Sequence, residues 1–280
     1  MENSEDFQTS SYRFQHNLEI LKLMTQLPND LNEAIAQAME ATKAALKDGY
    51  TRLQIEIVVP DIELQAQSLA KQFIPALLEE GTQLKVFFPD TGAAALAKRD
   101  WQEVPFKIED IGNSRSPVDK KVEPQDECFL LIAPSAVEVA QAEKLSNLAG
   151  DRPVVILIPK LEDVSIVGIG YAARQLRERF IKTIESCYYI RTLGGAALYR
   201  CYPDPWQVWL TEDGQYKLIA ERPEKPVGDA LEMILATATG TVTTDSSTSF
   251  SEASSEAKIS PPKRKRFLAE VQKFLRALTN

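Results

Sequence analysis

Four apolar, β-branched runs in this chain each stop at a proline followed by a polar residue: Pro60-Asp61, Pro89-Asp90-Thr91-Gly92, Pro134-Ser135 and Pro159-Lys160. If these runs are strands of an open α/β sheet, their carboxyl ends share one rim, and such sheets bind ligands there where the strand order reverses. Further on, Gly168 and Gly170 precede a helical stretch with Arg174 and Arg177 three residues apart on one face. Glycines before a helix N-terminus and arginines in its first turns are residue types that hold an anion. Asp61, Asp90, Ser135, Lys160, Gly168, Gly170, Arg174 and Arg177 are therefore the ligand- or client-binding candidates. The plainer reading is that the prolines end strands and the acids cap helices, while Arg174, Arg177 and Arg179 pair with Glu178, Glu185 or the acidic body.

Other chemistries are poorly supplied. Asp90-Thr91-Gly92 matches the aspartic-protease triplet, but that enzyme needs an all-β setting and a second aspartate, whereas an Ala-rich helical segment follows here. Gly168-Ile169-Gly170 lacks the third glycine of a dinucleotide fingerprint, and eight residues separate it from Pro159. The single histidine, His16, precedes the predicted core, which argues against a histidine triad or zinc centre. Cys128, Cys187 and Cys201 are odd in number and sit in strand-like runs, as buried reduced thiols do. No catalytic set, metal or cofactor is expected from these residues.

The elements that must position the rim are legible from periodicity. Amphipathic helices are expected over 28–47, capped by Asn29 or Asp30, and over 64–78, 93–97 and 136–148. Strands are expected over 53–59, 84–88, 106–111, 128–133 and 154–158, with 113–125 as an exposed loop. After the arginine helix the period changes from 3.6 to 2. Short strands over 187–190, 196–201, 206–210 and 216–220 follow, with Asp213-Gly214 as a tight-hairpin signal and 226–235 as a closing helix. The fold class is α/β: a mainly parallel Rossmann-like sheet with helices on both faces, extended by a C-terminal antiparallel meander.

Four segments are expected: a flexible start over 1–16, one α/β domain over 17–236, a linker over 237–260 and a basic amphipathic helix over 261–280. The linker holds 13 Ser or Thr in 24 residues. In the last segment Phe267, Leu268, Val271, Phe274, Leu275 and Leu278 form one apolar stripe beside Lys263, Arg264, Lys265 and Arg266. The whole chain has a formal charge of −8, yet its last 25 residues sum to +5 and leave −13 for the rest. An acidic body argues against nucleic-acid binding, while the basic tail is of the type that docks on anionic membrane or on a partner, a calmodulin-like target being compatible. No run reaches the roughly 18 apolar residues of a membrane span.

Several blocks together look familiar: Phe88-Pro-Asp-Thr-Gly-Ala-Ala-Ala-Leu-Ala97, Arg99-Asp-Trp101, Arg152-Pro-Val-Val-Ile-Leu-Ile-Pro159, Val167-Gly-Ile-Gly-Tyr-Ala-Ala-Arg-Gln-Leu-Arg-Glu-Arg-Phe180 and Tyr202-Pro-Asp-Pro-Trp-Gln-Val208. They resemble an uncharacterised domain family of cyanobacteria and chloroplasts whose plant members include the photosystem II assembly factor Low PSII Accumulation three. The resemblance covers about Leu27 to Leu235, and the lack of a transit peptide suits a cyanobacterial member. It implies a non-enzymatic factor, cytoplasmic or peripheral on the cytoplasmic face of the thylakoid, whose partner is a photosystem II subunit or assembly intermediate. It supplies no catalytic residue. The alternative expectation is an enzyme that binds a nucleotide or phosphometabolite at the strand-end rim.

Overall fold

The computed structural model describes residues 26–78, 82–113, 115–162 and 170–240. Its centre is a nine-stranded sheet in the order β3-β2-β4-β5-β1-β6-β7-β8-β9. The strands are β1 (Arg52–Val58), β2 (Leu84–Phe88), β3 (Lys107–Asp110), β4 (Cys128–Ile132), β5 (Val154–Leu157), β6 (Glu185–Thr192), β7 (Ala196–Cys201), β8 (Trp206–Glu212) and β9 (Gln215–Arg222). Neighbours from β3 through β6 pair in parallel, and β6 through β9 pair antiparallel. The mixed α/β architecture expected from the sequence is therefore present, meander included.

Helices cover the sheet on both faces because each parallel crossover must bury one apolar stripe. On the first face α1 (Leu31–Lys47), α2 (Ala66–Phe73) and α3 (Thr91–Trp101) pack Ile35, Phe73 and Ala97 against Leu53, Ile55, Val86 and Leu130. On the second, α4 (Val139–Ala149) and α5 (Tyr171–Arg179) pack Leu145 and Leu176 against Phe87, Phe129 and Ile156. Under the meander, α6 (Asp229–Ala238) sets Leu231, Ile234 and Leu235 over Tyr189, Leu198 and Val208. The strands β2, β4 and β5 are buried along their whole length, whereas β1 alternates. Its Leu53, Ile55 and Ile57 are buried, while Gln54, Glu56 and Val58 face the strip between the α4–α5 cover and the α6 cover.

The Asp213-Gly214 signal is realised in full. Both residues have positive φ, 51° and 80°, and Glu212 pairs with Gln215 directly across the two-residue turn. That backbone twist matches the twist of the flanking strands, and glycine takes it without a Cβ penalty. The three cysteines are buried as expected, and burial pushes each thiol up to about 12.

Three expectations change. The segment 113–125 is not simply exposed: Val118 is fully buried, its N–H donates to Gln141 Oε1 at 3.1 Å, and a short 3-10 turn spans Val118–Lys120. Its mixed charge is explained by Lys85, which sits in β2 with no exposed side-chain surface and pairs with Asp126 at 3.0 Å, Glu109 at 3.6 Å and Glu123 at 3.7 Å. A buried ammonium needs such partners, so the acidic stretch is folded onto it. The helix expected over 93–97 runs Thr91–Trp101, and the closing helix runs Asp229–Ala238, two residues into the stretch read as linker. The part of that linker from 241 to 260, His16 and the basic stripe from Lys263 to Leu278 lie outside the described residues.

Candidate functional site

The carboxyl rim exists, but its predicted residues divide. Asp90 caps α3, its Oδ1 accepting from the Ala93 N–H at 2.9 Å, and Asp61, with φ of 55°, precedes a 3-10 turn without capping it by side chain. Ser135 closes the turn into α4: its Oγ donates to Glu138 Oε2 at 2.6 Å, and its N–H donates to the same oxygen at 2.9 Å. The same Oγ accepts from the Val137 N–H at 3.1 Å, so Ser135 and Glu138 together close the turn ahead of the helix. Lys160 pairs with Glu63, and a parallel bridge joins Ser135 to Lys160 just beyond β4 and β5.

The arginine helix is tied in by different partners from those expected. Arg177 pairs with Glu162, while Arg179 makes a two-point contact with Glu143 at 2.6 and 3.0 Å. Glu178 and Glu185 serve Lys182 and Arg200 instead. Arg174 is exposed and has no side-chain partner among the described residues. Gly170 has φ of −76°, and among the described residues a Cβ there would meet nothing within 4 Å, so neither conformation nor space calls for glycine at that position. Gly168 lies outside the described residues.

Of the eight rim candidates, Ser135 and Lys160 line one groove; Asp61, Asp90, Gly170, Arg174 and Arg177 do not. That groove, of about 1310 Å³, opens over the ends of β4, β5 and β1 and runs along the uncovered face of β1 to the loop after β9. Glu56, Glu185, Arg200, Trp206 and Lys225 line it, and none of them was among the binding candidates read from the sequence. The signal was in β1, whose Arg-Leu-Gln-Ile-Glu-Ile-Val alternates polar and apolar where a strand covered on both faces would be apolar throughout.

Its electrostatics are built from paired charges. Glu56 Oε2 accepts from Gln54 Nε2 at 3.0 Å and from Ser186 Oγ at 2.8 Å, which leaves Oε1 facing Lys225 Nζ at 3.5 Å. The ammonium of Lys225 stands 3.8 Å from the Tyr189 ring centroid and 5.2 Å from that of Trp206. Burial lowers the Lys225 pKa, opposed in part by Glu56. Arg200 lies over Trp206 at 5.4 Å and pairs with Glu185. Such a groove can hold a polar side chain or a small polar molecule at either charge. Among the described residues no His/Cys/Asp/Glu cluster could hold a metal ion.

Residues 28–233 match the family model described as a domain of unknown function, DUF1995. The chain belongs to the DUF1995 family. The DUF1995 match reaches from just before α1 into α6, so it contains the entire sheet and the groove. Within this DUF1995 domain the recognisable sequence blocks do mostly architectural work. Arg152 donates to four backbone carbonyls, Trp101 packs between Phe88 and Phe106, Phe180 is fully buried, and Trp206 stacks near Tyr189 at 5.2 Å. Tyr171 and Arg174 are among the block residues that stay exposed on α5. Arg174→Ala is accordingly expected to change stability by no more than about 0.5 kcal/mol in urea unfolding. A loss above 1 kcal/mol would assign it a structural partner instead.

Proposed function

We propose that this DUF1995 protein is a non-enzymatic accessory factor of the photosynthetic membrane that supports photosystem II biogenesis by docking a client protein on its carboxyl rim. One observation favours the rim: Leu64, 86% exposed, and Val137, 68% exposed, stand beside Ile62 and Ala136 of the groove wall. Large apolar side chains set at that exposure around a polar cleft are features of a surface that meets another protein. The photosynthetic setting, and a photosystem II subunit or assembly intermediate as client, rest on the sequence resemblance alone. A second reading, an enzyme that binds a nucleotide or phosphometabolite, is favoured by the presence of Ser135, Lys160 and Arg200 in one groove.

The test is capture from detergent-solubilised photosynthetic membranes with the wild type and a Leu64→Asp/Val137→Asp variant. The wild type is expected to retain photosystem II assembly intermediates and the variant to lose them at least tenfold, with an unchanged melting temperature because both side chains are solvated. Equal retention by the two would remove the rim from the account. Tight binding of a nucleotide in the groove would favour the enzyme.

The basic stripe Lys263, Arg264, Lys265 and Arg266 with Phe267, Leu268, Val271, Phe274, Leu275 and Leu278 is proposed to hold the protein on anionic lipid at the cytoplasmic face of the thylakoid. Several basic residues, each contributing on the order of 1 kcal/mol near such a surface, predict binding that salt reverses. Full-length protein should co-sediment with anionic vesicles at low salt and be released at high salt, while protein ending at Gly240 should stay in solution. Equal sedimentation of the two would remove the tail's role. Among the described residues no helix is long and apolar enough to cross a membrane.

A further inference from the structure

We propose that Lys225 is a reactive amine that forms an imine with a small carbonyl compound bearing a carboxylate or phosphate, taken up in the groove along β1. This site stands apart from the client-docking reading, which uses the apolar rim and needs no covalent chemistry.

Lys225 lies on the loop between β9 and α6, and its side chain reaches back over the sheet to the groove wall with a third of its surface open. Three features distinguish it from the other groove lysines, Lys160 and Lys182, which are mostly exposed and ion-paired to Glu63 and Glu178. First, its Nζ rests on the faces of Tyr189 and Trp206, where water is displaced and the charged form loses hydration. Second, the carboxylate opposite is held in place: Gln54 and Ser186 both donate to Oε2 of Glu56, so Oε1 is fixed toward Nζ at 3.5 Å. Third, the Arg200 guanidinium contacts the same Trp206 ring and lines the groove with Lys225. A guanidinium there is matched by an anionic group on the incoming molecule.

The other charges around Lys225 are Arg191 of β6, which favours the neutral amine, and Glu56 and Glu162, which favour the ammonium. Burial outweighs the two acids, so the amine loses its proton at a lower pH than an ordinary lysine. A lysine of that kind is the usual imine-forming residue. In the step itself the neutral nitrogen adds to the carbonyl carbon to give a carbinolamine. Both nitrogen protons pass to the oxygen, with Glu56 Oε1 as relay, the C–O bond breaks, and water leaves as the C=N bond forms. No oxidant or reductant takes part.

Glyoxylate with cyanoborohydride is the probe, because reduction traps the imine as a stable carboxymethyl-lysine. With full-length protein near neutral pH, peptide mass mapping should show one fast addition at Lys225, at least about tenfold faster than the typical surface lysine, because burial leaves more of it as free amine and the groove holds the carbonyl compound beside it. Its rate should rise with pH and level off below the ordinary lysine range near 10.4. Lys225→Arg should abolish the fast addition and leave the slow ones unchanged. Glu56→Gln removes a charge that favours the ammonium, so a purely electrostatic role predicts faster labelling; loss of the proton relay predicts slower labelling, and slower is expected. Addition spread over the lysines according to exposure, or faster labelling in Glu56→Gln, would overturn the proposal.

Discussion

Lys85→Met is expected to lower the unfolding free energy by about 3–5 kcal/mol, measured by urea denaturation of the full chain. The reason lies in what it leaves behind. Lys85 has no exposed side-chain surface and Asp126 only 3%, so removing the ammonium strands a carboxylate in a medium that cannot solvate it. Glu123 keeps Lys107, and Asp110 keeps Lys121 at 2.6 Å, but the described structure offers Asp126 no second cation at ion-pair distance. Pairing the change with Asp126→Leu should recover most of the loss, because two apolar side chains need no partners. A single-variant loss below 1 kcal/mol would show that the pair is solvated and that 113–126 is not bound to the sheet through it.

Arg152→Met is the second large effect, at about 2–4 kcal/mol. The guanidinium donates from Nε to the Ala149 carbonyl at 2.9 Å, from Nη1 to those of Glu123 at 3.1 Å and Asp126 at 2.9 Å, and from Nη2 to that of Leu148 at 2.8 Å. It also lies 5.0 Å over the Phe129 ring. Charge-assisted bonds contribute about 1.5–3 kcal/mol each, but the group is only half-buried and water replaces part of them. Lysine has a point charge and no planar fork, so Arg152→Lys should restore less than half of the loss. Because Arg152 and Lys85 both hold the stretch that contains Glu123 and Asp126, the double variant should lose less than the two single losses combined. Full additivity would mean that they act on separate units.

The sequence was most legible where a residue's neighbours in the chain decide its fate. The runs at 84–88 and 196–201 became strands with those same ends, and Asp30, Asp90 and Asp213-Gly214 acted locally as caps and a turn. What it hid was set by partners far along the chain. Lys85 is one charge in an apolar run whose counter-ions lie from Glu109 to Asp126, far along the chain, and Arg152 opened a motif without revealing the carbonyls it would gather. The groove was missed for a related reason. Glu56, Arg200 and Lys225 come from β1, β7 and the loop after β9, and only the sheet order brings them together. The rim was found because prolines mark strand ends, but a strand-end residue can be spent on a helix cap, as Asp90 is, or on closing a turn, as Ser135 is.

The most direct measurement of the docking account is a photo-reactive amino acid placed at position 64 or 137, with cross-linking carried out in intact photosynthetic cells and the adducts identified by mass. Adducts with a photosystem II core subunit, absent when the same group is placed at Met233, which is as exposed as Val137 but lies on α6, are the predicted result. Adducts confined to soluble proteins, or the same adducts from Met233, would contradict it.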